Sequence, residues 1–194
     1  MLLVVAATER ELAFVRGAET FVCGVGPVDA AASTARLLAE RGRACDKVSQ
    51  ARSANDNVSL IHIGLAGARG LAPPTLVLGA ESVYSDVVDP ASSFPRIERV
   101  EPDAGLLARV REIVPEARVL PIATSGRVTG GSGCAVEAME GFGVLRACAL
   151  AGVPAVELRA VSNDVDESDR GAWRFDEALA ALESAVARLV ATLG

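Results

Sequence analysis

Apolar residues fall along this chain in two alternating patterns, short continuous runs and longer runs of helical spacing. Residues 2–7 (LLVVAA) are an unbroken apolar run, as expected of a strand covered on both faces. Thr8 followed by Glu11 has the spacing of a capping box, so a short helix should start there. Phe21 to Cys23 predicts a strand, Gly24-Val25-Gly26-Pro27 a turn, and the alanine- and leucine-rich Val28 to Arg41 a helix. Gly42 to Asn57 is polar and aperiodic and reads as an exposed insertion. Val58 to Ile63 predicts a strand followed by the loop GLAGARGLAPP, and Thr75 to Val88 one long or two short strands. Pro90 to Pro102 reads as a surface loop, and Pro102 or Asp103 opens a helix to about Val114. A strand at Val119–Ala123, a glycine-rich loop at Thr124–Gly133 and a short strand at Ala135–Met139 come next. The chain then predicts a helix at Glu140–Gly152 closed by glycine, a strand at Ala155–Val161, a polar loop at Asn163–Trp173 and an amphipathic helix at Phe175–Leu193. Strands alternating with helices predict a three-layer α/β fold, expected as one domain over residues 1–194.

Composition narrows the partners. The 194 residues carry a net charge of -6 with a pI near 4.9, a field that attracts neither nucleic acid nor an anionic membrane surface. At 51% hydrophobic and 4% aromatic residues, the core must consist mainly of Ala, Val and Leu. Four cysteines (Cys23, Cys45, Cys134, Cys148) form no CxxC pair, and His62 is the only histidine. No zinc site, other metal or cofactor is therefore expected, and free thiols in a reducing compartment fit best. The N-terminus lacks a basic n-region, and no apolar run reaches bilayer length, so a soluble cytoplasmic protein is expected.

Candidate chemistry gathers between Val136 and Asp164. Met139-Glu140-Gly141 and Ser162-Asn163-Asp164 each stand where a strand finishes, and open α/β sheets bind ligands at such ends. Gly64, Ala66 and Gly67 allow close backbone approach to a ligand, though an ordinary turn would use them too. The loop at Thr124–Gly133 suits wrapping a flat molecule, or is simply flexible. Gly24 and Gly26 are not a dinucleotide fingerprint, because the third glycine is missing and a proline follows at once.

Six motifs in order (ATEREL, GVGP, GLAG, VEAMEG, LRAVSND and RFDEAL) resemble the nucleosidase branch of the purine nucleoside phosphorylase/uridine phosphorylase superfamily. VEAMEG, LRAVSND and the Trp173–Asp176 segment are most similar to futalosine hydrolases, the enzymes of a route to menaquinone. The resemblance implies a central mixed, twisted β-sheet, a nucleoside substrate and a homodimer or higher homo-oligomer. It implies that Glu11 is the general base acting on water, with helix capping as its alternative role. Glu140 would grip the ribose hydroxyls and favour a cationic sugar, with Met139 against the sugar face or in the core. Asn163 stands where adenine-specific relatives carry aspartate. An amide offers both donor and acceptor, which suits a 6-oxopurine such as hypoxanthine. Asp164 is a substitute acid or a loop cap. Arg159 would assist Glu11 or the water, or else neutralise a buried carboxylate such as Glu140. Leu65 replaces a serine usual in adenine nucleosidases. Ala66, Gly67 and Val128 would lend backbone groups, and Trp173 and Phe175 would wall the base or an aryl 5′-substituent, or anchor their helix. The acidic first loop would repel a phosphate dianion, which favours hydrolysis over phosphorolysis. Two alternatives remain, an adenine-type nucleosidase (acting on 5′-methylthioadenosine, S-adenosylhomocysteine or 6-amino-6-deoxyfutalosine) and an inactive nucleoside-binding module.

Overall fold

The computed structural model describes residues 1–46, 57–87, 96–128 and 131–194. The first apolar run forms strand β1 (Leu2–Ala6), buried along its whole length. Alternation sends Leu2, Val4 and Ala6 into one core and Leu3 and Val5 into another. The first core is closed by α1 (Glu9–Leu12), α3 (Ala104–Ile113) and α5 (Phe175–Leu193). The second lies under α2 (Pro27–Asp46) and α4 (Gly141–Ala151). Helices thus cover both faces of one sheet, which is the three-layer arrangement expected.

That sheet is mixed. It adds β2 (Glu19–Val22), β3 (Ser59–Ala68), β4 (Leu76–Tyr84), β5 (Arg99–Val100), β6 (Arg118–Thr124), β7 (Val136–Ala138) and β8 (Ala155–Asp164). The order is β2-β1-β3-β7-β6-β4-β5, and β8 pairs with both β3 and β4. The pairings β3-β8-β4-β6-β7 therefore return to β3 and close a ring. A third core draws Ala66, Ala68, Val77, Ile122, Val136, Ala138 and Val161 from those five strands.

Several expected boundaries move. Helix α2 continues to Asp46, past the expected end at Arg41, and residues 47–56 of the expected insertion lie outside the described residues. GLAGA is not a loop but the last half of β3, because β7 and β8 supply partners on both edges as far as Ala68. Strand β8 likewise runs on through Ser162-Asn163-Asp164, so the polar loop starts later than Asn163. In the expected Pro90–Pro102 loop, Arg99–Val100 pairs with β4, and residues 88–95 lie outside the described residues. The final helix spans the predicted residues, and Gly152 closes α4 in the left-handed conformation at φ 68°.

Candidate active site

Between Ala66 and Gly67 the β3–β8 register shifts by one residue, and Ser162 is the extra residue on β8. A bulge of this kind re-aims the side chain after it. Gly67 is consequently registered with Asn163 on one edge and with Glu137 on the other. Asn163 is held at both ends of its amide. Its Oδ1 accepts from Ser162 Oγ at 2.7 Å, and its Nδ2 donates to Asp164 O at 2.8 Å, which spends one of two N–H groups. Asp164 itself is exposed and caps a turn by accepting from Asp166 N at 2.9 Å.

Glu11 does two things at once. The capping box is formed: Thr8 N and Oγ1 donate to Glu11 Oε2 at 3.1 and 2.8 Å, and Glu11 N donates back to Thr8 Oγ1. The other carboxylate oxygen, Oε1, accepts from Leu65 N at 3.2 Å, across on β3. The cap therefore fixes a buried carboxylate against the sheet end rather than competing with a functional role.

Glu140 comes from the N-terminal end of α4. Its Oε1 accepts from Gly26 N at 3.1 Å, and its Oε2 lies 3.4 Å from Arg159 Nη2. Gly26 sits at φ 90°, a conformation that a β-carbon disfavours, and this turn points the amide at Glu140. GVGP, whose spacing alone reads as a turn, is thus part of the site. Burial pushes the Glu140 carboxyl up from its ordinary value; Arg159 and the Gly26 amide pull it down, and Glu11 and Glu157 add to the rise.

Arg159 is 1% exposed and stands behind the site, its Nε donating to Glu157 Oε1 at 2.8 Å. A Cβ on Gly64 would come 2.1 Å from Arg159 Nη1 and 2.9 Å from Glu11 Oε1, so only glycine fits where these groups meet. His62 touches the same guanidinium through Arg159 Nη2 and is held neutral, well below its usual range, by burial and by that positive charge.

Glu11, Glu140 and Asn163 border one cavity of about 310 Å³. Glu11, Ala66, Gly67, Val128, Met139, Glu140, Asn163, Trp173 and Phe175 all line it. Arg159 does not, and its partners fit the neutralising role rather than direct contact with a ligand. Trp173 and Phe175 meet at 5.4 Å between ring centres, and Trp173 Nε1 donates to Glu167 O at 3.1 Å, so the two rings form a fixed wall. Several lining residues escaped the sequence reading, Glu137 and Arg127 among them. Glu137 accepts from Ser132 N and Oγ and from Arg69 Nη1, which ties the glycine-rich loop to β7. Burial pushes its carboxyl up, but the Ser132 and Arg69 donors outweigh this and hold it below the ordinary value. Arg127 is exposed beside Val128.

The family model for the phosphorylase superfamily matches residues 14–193. The chain belongs to that superfamily. Within it, the futalosine hydrolase of Streptomyces coelicolor is 38% identical over 204 residues, covering 91% of this chain and 80% of the relative. Among solved structures, a 5′-methylthioadenosine/S-adenosylhomocysteine nucleosidase from S. pneumoniae superposes with a TM-score of 0.75 at 20% identity, over 99% of this chain and 97% of that one. A futalosine hydrolase mutant of Helicobacter pylori gives a TM-score of 0.75 at 18% identity, with the same coverage. At such identities the superpositions bear on the fold, whose mixed sheet between helical layers is that of the superfamily. The cavity lies where this fold brings the ends of β3, β7 and β8 together.

Proposed function

We propose that this protein hydrolyses the N-glycosidic bond of futalosine, releasing hypoxanthine and dehypoxanthine futalosine, as a step of menaquinone biosynthesis. The observation that carries the proposal is the convergence of Glu11, Glu140 and Asn163 on one cavity, in a chain 38% identical to a futalosine hydrolase. Glycosidic cleavage builds positive charge on the sugar and negative charge on the leaving base, and a catalyst must favour both. Glu140 accepts the ribose hydroxyls and places its charge beside the cationic sugar. Asn163 donates the second N–H of its amide to the base at N7 or O6. A water on the Glu11 side attacks C1′ as the C1′–N9 bond breaks, with its electron pair leaving on the purine. Glu11 takes the proton that the water loses, and a solvent water protonates the base. Trp173 and Phe175 pack on an aryl 5′-substituent, and Ala66, Gly67 and Val128 border the purine.

Asn163 favours a 6-oxopurine over the 6-amino substrates of an adenine-type nucleosidase. The two carboxylates at the sugar favour an enzyme over a binding module, which needs no group to activate water. The working unit is the whole chain as one domain, assembled as a homodimer or higher oligomer in the cytoplasm. Val25 and Val128 at the cavity edge and Val28 beside them are 56%, 42% and 75% exposed, apolar surface that a second subunit would cover.

Incubating the protein with futalosine, inosine and 5′-methylthioadenosine, and identifying the freed base by chromatography, tests the reading. Hypoxanthine from futalosine is the expected product. Faster release of adenine from the 6-amino substrate would replace the reading with the adenine-type alternative, and no base from any of them would refute it.

A further inference from the structure

Beneath the cavity lies a carboxylate that the mechanism above does not use. Glu157, on β8, is fully buried. Its Oε1 accepts from Arg159 Nε at 2.8 Å, and its Oε2 accepts from the Ser82 hydroxyl on β4. Gly141, the residue after Glu140, lies directly over it, since a Cβ there would come 2.1 Å from Glu157 Oε2. The guanidinium held in this way meets Glu140 and His62 with Nη2 and reaches the Gly64–Glu11 contact with Nη1. Three carboxylates, Glu11, Glu140 and Glu157, thus surround one cation. Two further titratable groups packed against the buried cluster are uncharged. His62 is held neutral, and the Cys23 thiol beside Glu140 is pushed up to about 12, chiefly by burial.

A buried arginine needs one carboxylate for neutrality, and here two share it, Glu157 at 2.8 Å and Glu140 at 3.4 Å. The pair therefore carries one negative charge more than the cation offsets, and the position of Glu157 has two consequences. It occupies the Nε edge of Arg159, so the guanidinium meets Glu140 through Nη2 alone, and Glu140 Oε1 stays with the Gly26 amide. It also adds negative charge below the point where the cationic sugar would form.

We propose that Glu157 is a positioning residue for the glycosidic cleavage, a reading that rests on the function proposed above: through Arg159 it sets the orientation of Glu140 and Glu11 and biases the buried charge toward the cationic sugar.

The test compares Glu157→Gln and Ser82→Ala with the wild type in futalosine hydrolysis and by NMR of the Arg159 Nε–H, assigned by its loss in Arg159→Lys. Glu157→Gln should lower kcat by about 10²-fold, the cost of misplacing a catalytic group, while KM stays within about threefold. The acidic limb of its kcat/KM profile should move to lower pH, because Glu140 loses a neighbour that raises its affinity for a proton. A merely structural role would lower the melting temperature and leave the limb in place. Should the glutamine variant fail to fold, Ser82→Ala keeps the carboxylate and frees one side of it. That variant should speed exchange of the Arg159 Nε–H and lower kcat several-fold. Wild-type kcat in Glu157→Gln, an unmoved acidic limb, or Ser82→Ala with both exchange and kcat unchanged would overturn the proposal. A wild type that cleaves no nucleoside sinks the function reading and this proposal together, whereas an active wild type with indifferent variants sinks this proposal alone.

Discussion

Glu11→Gln preserves the length of the side chain and removes its ability to accept a proton. In the structure the carboxylate takes three donors, Thr8 N and Oγ1 on one oxygen and Leu65 N on the other. Glutamine is also found at this position of a capping box, so its single carbonyl oxygen can keep the Thr8 side. Its amide then faces Leu65 N–H, donor against donor, at a cost of about 1–3 kcal/mol for the bond left unmade. The loss of a general base is larger, about 10²–10⁴-fold in rate, or about 3–5 kcal/mol of barrier. A folded variant should therefore retain a cooperative melt, shifted down, while kcat for release of hypoxanthine falls at least about 10²-fold. Affinity for a non-hydrolysable nucleoside analogue, measured by calorimetry, should stay within about threefold of wild type. Turnover within about tenfold of wild type by a folded variant would refute the base assignment and leave Glu11 a helix cap.

Asn163→Asp should raise the ratio of adenine to hypoxanthine release by at least about tenfold in a mixed-substrate assay. Asn163 Nδ2 now donates to Asp164 O; an aspartate oxygen facing that carbonyl would favour its protonated form, an acid suited to N7 of adenine. Phe175→Ala should raise KM for an aryl-substituted nucleoside about tenfold with little change in kcat, because it removes apolar surface worth about 1.5–3 kcal/mol from the cavity wall. Glu140→Gln should abolish turnover yet raise thermal stability at neutral pH. The folded state raises the Glu140 carboxyl above its ordinary 4.5, so its stabilising contribution is complete below that value and is lost as pH rises through the raised one. The stability gain of the variant should therefore appear above pH 4.5 and vanish below it; an equal gain at all pH values would contradict the assignment.

Local pattern carried much of this architecture. The unbroken run at residues 2–7, the Thr8–Glu11 cap and the Phe175–Leu193 helix are determined by spacing within a few residues, and each formed where its spacing indicated. Strand ends behaved differently. GLAGA and Ser162-Asn163-Asp164 have weak strand propensity, and they are strands because β3, β7 and β8 pair with one another there. The same long-range pairing hid parts of the site. Glu137 stands in a strand of three residues, all buried, where alternation has too little length to show a face. Glu157 was within reach, since ELR puts two ionisable residues of opposite sign on one face of the otherwise apolar stretch Ala155–Val161. Its role depended on Ser82 and Gly141, which no local pattern connects to it.

The buried donors also bear on which nucleophile this site can take. A phosphate dianion needs free amides and cations, and three such donors beside Glu11 and Glu140 are already engaged by the protein's own carboxylates. Leu65 N–H is spent on Glu11, and Gly26 N–H on Glu140. The Arg159 guanidinium is divided between Glu157 and Glu140. A dianion placed beside Glu11 would have to displace a carboxylate from each of those donors while gaining like-charge repulsion from it. Water meets neither obstacle, and it can donate a hydrogen bond to the same Glu11 oxygen that Leu65 N–H orients. On the proposed reading, the arrangement that disfavours phosphate beside Glu11 is also the one that would prepare water for attack, so adding phosphate to the assay should leave the rate of base release unchanged and yield no sugar 1-phosphate.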